Sequence, residues 1–217
     1  MSLIGVFKDE IDDWEGKVGI ADSLSLHQIN LFEKLYGNKN LSIINPFKRL
    51  EDGRYSVFEG QPNEWLPKEI YVPLFKKVFD LGREALLSDV FITSANAITW
   101  SGEIISTDGV GNRIAGVIFG PKKVILVIGM NKVVKDRDAA FDRIKNVSAP
   151  LNHIRHFNKH DIQFKRLADL PCVKLGYCTE CNSPNCTRRA SIIVHGPVED
   201  IYKDRIHVVL CGQDVGL

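Results

Sequence analysis

Four cysteines fall within fifteen residues: Cys172, Cys178, Cys181 and Cys186, spaced C-x5-C-x2-C-x4-C. Four thiolates this close in the chain can surround one metal centre. Cys178 and Cys181 form a CxxC pair, which lets two sulfurs of one turn face a common atom. The intervening Lys174–Tyr177 and Asn182–Asn185 are turn-rich, as a loop that wraps a metal must be. Zinc and iron–sulfur clusters both use such donor sets. The spacing matches neither the usual zinc-finger pattern nor the bacterial ferredoxin run. It comes nearest the plant-type C-x4-C-x2-C start, one residue longer. The competing reading is a set of free or disulfide-paired thiols that staples a loop. Cys211, in an apolar terminal strand, reads as core.

Other residue types point to a ligand pocket. Ser94, Asn96 and Thr99 form a polar cluster at a strand end, able to hold a carboxylate or hydroxyl through neutral hydrogen bonds, or serving only as turn residues. Thr107-Asp-Gly-Val-Gly-Asn-Arg113 combines flexible backbone at Gly109 and Gly111 with Asp108, Asn112 and Arg113. Glycines allow close approach to a ligand, and a guanidinium can clamp a carboxylate bidentately. The alternative is a glycine-bearing hairpin. Glu103 is a weak candidate general base, with a raised pKa if its strand is partly buried, or else a solvent-facing strand residue. His153, His156 and His160 fall at i, i+3 and i+7, a metal face or a solvated helix end. No convincing base–nucleophile pair stands out, so a stand-alone transferase or hydrolase has little support.

These residues need a scaffold. The chain has 217 residues, enough for one large domain with its own core. Lys and Arg number 28 and Asp and Glu 27, for a net charge of +1. That balance selects neither nucleic acid nor an anionic membrane. Met1–Lys8 has no basic signal-peptide region, and no apolar run reaches the ~18 residues of a membrane span. A cytoplasmic, reducing setting is expected, which favours metal over disulfides.

Lys17–Ala21 and Leu41–Ile44 read as short strands. Between them Ser25-Leu-His-Gln28 fits a capping box opening a helix over Leu26, Ile29, Phe32 and Leu35. Residues 48–67 are irregular, a lid or a long loop, and Leu74–Leu87 is helical. Asp89–Ser94, Glu103–Thr107, Arg113–Phe119 and Val124–Gly129 read as strands, the last buried on both faces. Asp136–His156 is a helix that Pro150 should bend or divide. Ala190–His195 and Arg205–Leu210 are further strands. Strands interleaved with helices give an α/β domain with a mixed sheet flanked by helices.

Several stretches occur together in a familiar order: Val18–Leu26, Thr93–Thr99, Ser101–Arg113, Phe119–Val124 and Asn131–Asp136. With Pro171–Cys186, they resemble the lactate-utilisation (LUD) domain family, in its LutC/YkgG-like branch with a C-terminal cysteine motif. The resemblance runs from about Lys17 to the end, and residues 1–217 are expected to form one such domain with 172–186 as a cysteine-rich loop within it. It implies a fold similar to sugar-phosphate isomerases and coenzyme A transferases, with the ligand at the C-terminal strand ends. Asn96 and Thr99 stand where the isomerases carry acids, so isomerisation is not expected. Ala21-Asp22-Ser23 replaces the family's usual Gly-Gly-Ser. Asp22 there disfavours phosphate, while Ser23 remains a candidate ligand contact. The family implies an accessory, redox-associated subunit of small 2-hydroxy-acid metabolism. Its expected partners are a small anionic metabolite and an iron–sulfur protein, and it leaves room for a homo-oligomer. The metal centre would be Cys172, Cys178, Cys181 and Cys186, with iron–sulfur or zinc undecided. The alternative is a metabolite-binding regulatory module with a structural zinc.

Overall fold

The computed structural model describes residues 3–52, 54–159, 168–196 and 203–217; His160 lies outside them. The expected α/β architecture is present, with helices flanking a parallel sheet and a mixed sheet among the described residues. The first is parallel, with order β2-β1-β3-β6-β9, built from β1 (Gly16–Ile20), β2 (Leu41–Ile44), β3 (Val90–Thr93), β6 (Lys123–Gly129) and β9 (Ile206–Cys211). The second is mixed, with order β7-β4-β5-β8: β4 (Ala97–Thr99), β5 (Ile104–Asp108), β7 (Val133–Val134) and β8 (Ala190–Val194).

β6 shows why the parallel sheet is buried on both faces. Its Ile125 and Val127 join a core with Phe7 and Ile11, Leu26 of α2 (Leu24–Gln28) and Leu31 and Leu35 of α3 (Leu31–Gly37). The alternate residues Val124, Leu126 and Ile128 join the opposite core with Ala85 of α4 (Lys68–Ala85) and with Phe91, Ile98 and Ile104. A continuous apolar run suits a strand covered on two sides. Phe7 belongs to α1 (Leu3–Glu10), a helix ahead of the first strand that the periodicities did not reveal.

Three elements depart from expectation. Arg113–Phe119 is not a strand. Residues Asn112–Ile118 form helix α5, entered through Gly111 in the left-handed region at φ 97°. Asp108 holds its first turn, its carboxylate accepting from Val110 N at 3.2 Å and Arg113 N at 3.1 Å. β-Branched residues cost a helix only a few tenths of a kcal/mol each. Burying Ile114 and Val117 returns about 2 kcal/mol each, so packing decides. Gly116 lets α5 lie directly on the Phe91 ring, in space that a Cβ would fill.

The helix predicted after Ser25 breaks into α2 and α3 at Asn30, itself left-handed at φ 52°. Ser25 lies inside α2 and Ser23 is the N-cap residue, without a side-chain capping bond. The long helix near Pro150 does divide. Helix α6 (Arg137–Arg143) passes through a π-turn, Ile144–Ser148, into α7 (Ala149–Lys159). Cys172 lies on a short helix, α8 (Pro171–Leu175), so the cysteine segment is not loop throughout. Among the described residues, no helix is long and apolar enough to cross a membrane.

Candidate functional site

A cleft of about 380 Å³ opens beyond the C-terminal ends of β1 and β3. The parallel sheet reverses its strand order there, where open α/β sheets leave a crevice. Ala21, Asp22 and Ser23 enter from β1, and Ser94, Ala95 and Asn96 from β3. The β5–α5 turn supplies Asp108, Gly109, Asn112 and Arg113, and α7 supplies Asn152 and Arg155. The irregular segment before α4 supplies Phe47, Arg49 and Tyr55, with Tyr55 and Phe58 in a small core of its own. The cysteine segment closes the rim with Cys186, Thr187, Arg188 and Arg189.

Five arginines (Arg49, Arg113, Arg155, Arg188 and Arg189) and Lys132 line this cleft with two carboxylates, Asp22 and Asp108. Both acids are engaged by the protein. Asp22 has an 8 % exposed side chain, and its Oδ1 lies 2.7 Å from His27 Nε2. Asp108 holds the α5 turn and lies 3.8 Å from Arg113 Nε. The cleft is therefore cationic. Three of its buried polar atoms, Ser23 Oγ, Arg155 Nε and Arg188 Nε, have no hydrogen-bond partner among the described residues. Buried donors without partners are uncommon and call for an unseen acceptor.

The candidate residues separate on this map. Ser23, Ser94, Asn96, Asp108, Gly109, Asn112 and Arg113 line the cleft. Arg113 also braces it. Its guanidinium donates to Ser94 O at 3.0 Å, Asn96 Oδ1 at 3.0 Å and Thr107 O at 2.6 Å. Gly111 contributes backbone shape as the α5 N-cap. Thr99 lies away from the cleft, where its Oγ1 closes the β4–β5 turn by accepting from Glu103 N at 3.0 Å. Glu103 does not fit the general-base reading, which needs a raised pKa. Its carboxylate accepts from Arg137 Nε at 3.0 Å and Nη2 at 2.5 Å, with His195 Nδ1 at 2.7 Å. The Arg137 guanidinium, aided by His195, holds the carboxyl down at about 2, so Glu103 is a poor base.

Lys132 was not singled out from sequence. It follows β6 and is only 3 % exposed at the cleft floor. Its Nζ lies 3.0 Å from Ser25 Oγ and 3.0 Å from Ser94 Oγ, with the two hydroxyl oxygens 3.3 Å apart. Burial pushes its pKa down to about 7. Arg143, Arg113 and Arg155 push the same way, and Cys211 opposes them. The signal in the sequence was a lysine set among apolar residues just past a buried strand, in Gly129-Met-Asn-Lys-Val-Val134.

All four clustered cysteines line a second hollow of about 310 Å³, together with His153. All five cysteines of the chain are free thiols. Among the described residues, no three Cys, His, Asp or Glu side chains stand close enough to hold one metal ion. The backbone nevertheless treats two sulfurs as acceptors: Glu180 N donates to Cys178 Sγ and Arg188 N to Cys186 Sγ, each at 3.4 Å. Such N–H···S bonds orient sulfurs, as outer-shell hydrogen bonds do for metal ligands. His153 is buried beneath. Its Nε2 accepts from Thr187 N at 3.0 Å, which places the proton on Nδ1, 3.3 Å from Cys172 Sγ. Burial raises the Cys172 pKa, with the other three thiols adding to it, and lowers that of His153. Cys186 lines both hollows, so the two sites adjoin, although the cysteines and the pocket residues lie far apart in sequence. His156 faces the cleft rather than the thiols.

The LUD domain family model matches residues 8–211, and the chain belongs to that family. No curated protein matches it. Among solved structures, the crystal structure of eIF2B beta from Chaetomium thermophilum is similar at 15 % identity and a TM-score of 0.28. The match covers 63 % of this chain and 40 % of that one, a likeness too loose to carry an argument.

Proposed function

We propose that this LUD-domain protein is an accessory, redox-associated subunit of small 2-hydroxy-acid metabolism that holds a small carboxylate in its cationic cleft. One observation carries the reading: Arg155 Nε, Arg188 Nε and Ser23 Oγ belong to residues that line the cleft, are buried and have no hydrogen-bond partner among the described residues. A carboxylate supplies acceptor oxygens for the two guanidinium donors, and a 2-hydroxyl group supplies a partner for Ser23. Asp22, held by His27, leaves room for a singly charged acid while disfavouring a phosphate beside it.

Cys172, Cys178, Cys181 and Cys186 would hold the metal centre. The soft donor set and the N–H···S bonds suit either zinc or an iron–sulfur cluster. An iron–sulfur cluster there would supply one-electron transfer next to the ligand, through the wall that Cys186 shares. That adjacency favours the redox reading over a regulatory module with a remote structural zinc. The thiols suit a reducing, cytoplasmic setting, and an iron–sulfur partner protein would complete the electron path. Anaerobic purification with metal and sulfide analysis tests the centre. Iron with acid-labile sulfide supports the redox role. Stoichiometric zinc removes the redox role, and no metal removes the centre. Titration of the protein with lactate tests the cleft separately.

A further inference from the structure

Ser25, Ser94 and Lys132 come from three different strand ends and meet at the cleft floor, where nothing in the anion-binding reading uses them. We infer that they form a nucleophile, base and orienting group that give the cleft an acyl-transfer activity toward small carboxylate-bearing esters or thioesters. The inference rests on the reading of the cleft as a small-carboxylate site.

The geometry assigns the roles. Nucleophile and base must lie within hydrogen-bond reach, with the base oriented by a third group. Lys132 Nζ is 3.0 Å from Ser94 Oγ and 3.0 Å from Ser25 Oγ. Ser94 lines the cleft; Ser25 is fully buried behind it and does not. The Ser25 hydroxyl reaches Val215 O at 3.4 Å, which leaves its oxygen to accept from Nζ. Here the Ser94 hydroxyl donates to Ala95 O at a long 3.3 Å and accepts from Nζ. A neutral amine in this place donates one N–H to Ser25 and offers its lone pair once the Ser94 O–H turns from Ala95 O toward it. The amine is set up to be neutral, since burial and the guanidiniums of Arg143, Arg113 and Arg155 all disfavour the ammonium. Gly216 packs against the cluster, and a Cβ there would collide with Ser25 Oγ and Lys132 Nζ.

The chemistry balances with water as the only co-reactant. Ser94 Oγ attacks the acyl carbon as its proton moves to Lys132 Nζ. The bond from that carbon to the leaving oxygen or sulfur breaks, and the leaving group takes the proton from Nζ. Water then attacks the Ser94 ester, Lys132 receives a proton from it and returns one to Oγ, and the free acid leaves. The guanidiniums that keep Lys132 neutral also favour the oxyanion that forms on the acyl oxygen. Ser25 is a positioning residue, acting through Lys132.

The test uses the full chain with two probes, 4-nitrophenyl hydrogen succinate and 4-nitrophenyl acetate. The expected result is a burst of nitrophenolate matching the protein concentration, one acyl group added to the intact mass, and that group mapped to Ser94. The anionic ester should react faster. Ser94→Ala should abolish both the burst and the Ser94 adduct. Lys132→Met should slow acylation ~100-fold or more, the usual worth of a general base. Ser25→Ala should slow it and move its pH midpoint lower, because the ammonium loses an acceptor while Arg113, Arg143, Arg155 and Cys211 stay in place; an unmoved midpoint removes the positioning role. Should Lys132→Met fail to fold, the Ser94 mapping decides by itself. Acylation confined to cysteines or to lysine amines overturns the inference. Succinate binding without Ser94 acylation sinks the inference alone. Ser94 acylation without succinate binding sinks the anion reading alone, and neither result sinks both.

Discussion

Replacing Lys132 by Met isolates the cost of a buried amine. Lys132 titrates near 10.5 when unfolded and about 7 when folded. At about 1.4 kcal/mol per pKa unit, the drop corresponds to roughly 5 kcal/mol of penalty when the ammonium is forced on the native state. The sign follows from proton binding. Between pH 7 and 10.5 the unfolded chain holds the extra proton, so stability rises with pH across that window. The penalty is full below about pH 7 and gone above 10.5. Between pH 6 and pH 9 the wild type should gain roughly 3 kcal/mol relative to Lys132→Met. Charges that both proteins share, among them Arg113, Arg143, Arg155 and Cys211, cancel to first order in that difference. The Met variant loses two hydrogen bonds, to Ser25 and Ser94, worth about 1 kcal/mol each, but that loss is nearly independent of pH. Urea denaturation of both proteins at the two pH values supplies the four free energies. Parallel pH dependences, within about 0.5 kcal/mol, would refute the depressed pKa and the neutral amine that follows from it.

Further outcomes follow from the same map. Arg113→Ala should cost roughly 3 kcal/mol in urea denaturation, because it removes a guanidinium bonded to Ser94 O, Asn96 Oδ1 and Thr107 O; a loss below 1 kcal/mol would make those bonds incidental. Glu103→Gln should leave lactate affinity unchanged, since its carboxylate belongs to Arg137 and His195; a weakened affinity would return Glu103 to the site. The stabilisation from the Glu103 carboxylate should be present above pH 4.5 and vanish as the pH falls toward 2, seen as an acid-side loss of stability that Glu103→Gln lacks. Cys178→Ser should lower the bound metal per chain, and its retention in full would remove Cys178 from the ligand set. Gly109→Val should weaken both metal and lactate binding, because a Cβ there meets Thr187 at 2.9 Å in the wall between the two hollows.

The strands were legible wherever burial left continuous or alternating apolar runs, as in Val124–Gly129, whose residues divide between two cores. Arg113–Phe119 misled because only Ile114, Gly116 and Val117 are buried, while Ile118 and Phe119 stay exposed and complete a false strand-like apolar run. The pocket residues next to glycine, Asp108 to Arg113, announced themselves through local turn chemistry. Thr99 and Glu103 had similar local signals but belong to the far end of a hairpin. Their place depends on β4 pairing with β5, which no single segment encodes. Ser25 looked like a cap because S-x-x-Q is a local pattern. Its actual partners, Ser94 and Lys132, lie 69 and 107 residues away. Only the parallel order β1-β3-β6 brings their strand ends together.

Calorimetric titration with lactate at low ionic strength, comparing the wild type with Arg155→Ala, shows whether the cleft holds a small carboxylate. The cationic cleft predicts saturable one-site binding that weakens as salt is raised. Arg155→Ala should weaken it by roughly 30-fold, from about 2 kcal/mol lost with a buried charge-assisted hydrogen bond. No saturable binding, or binding equally tight in Arg155→Ala, would contradict a small-carboxylate site at this cleft.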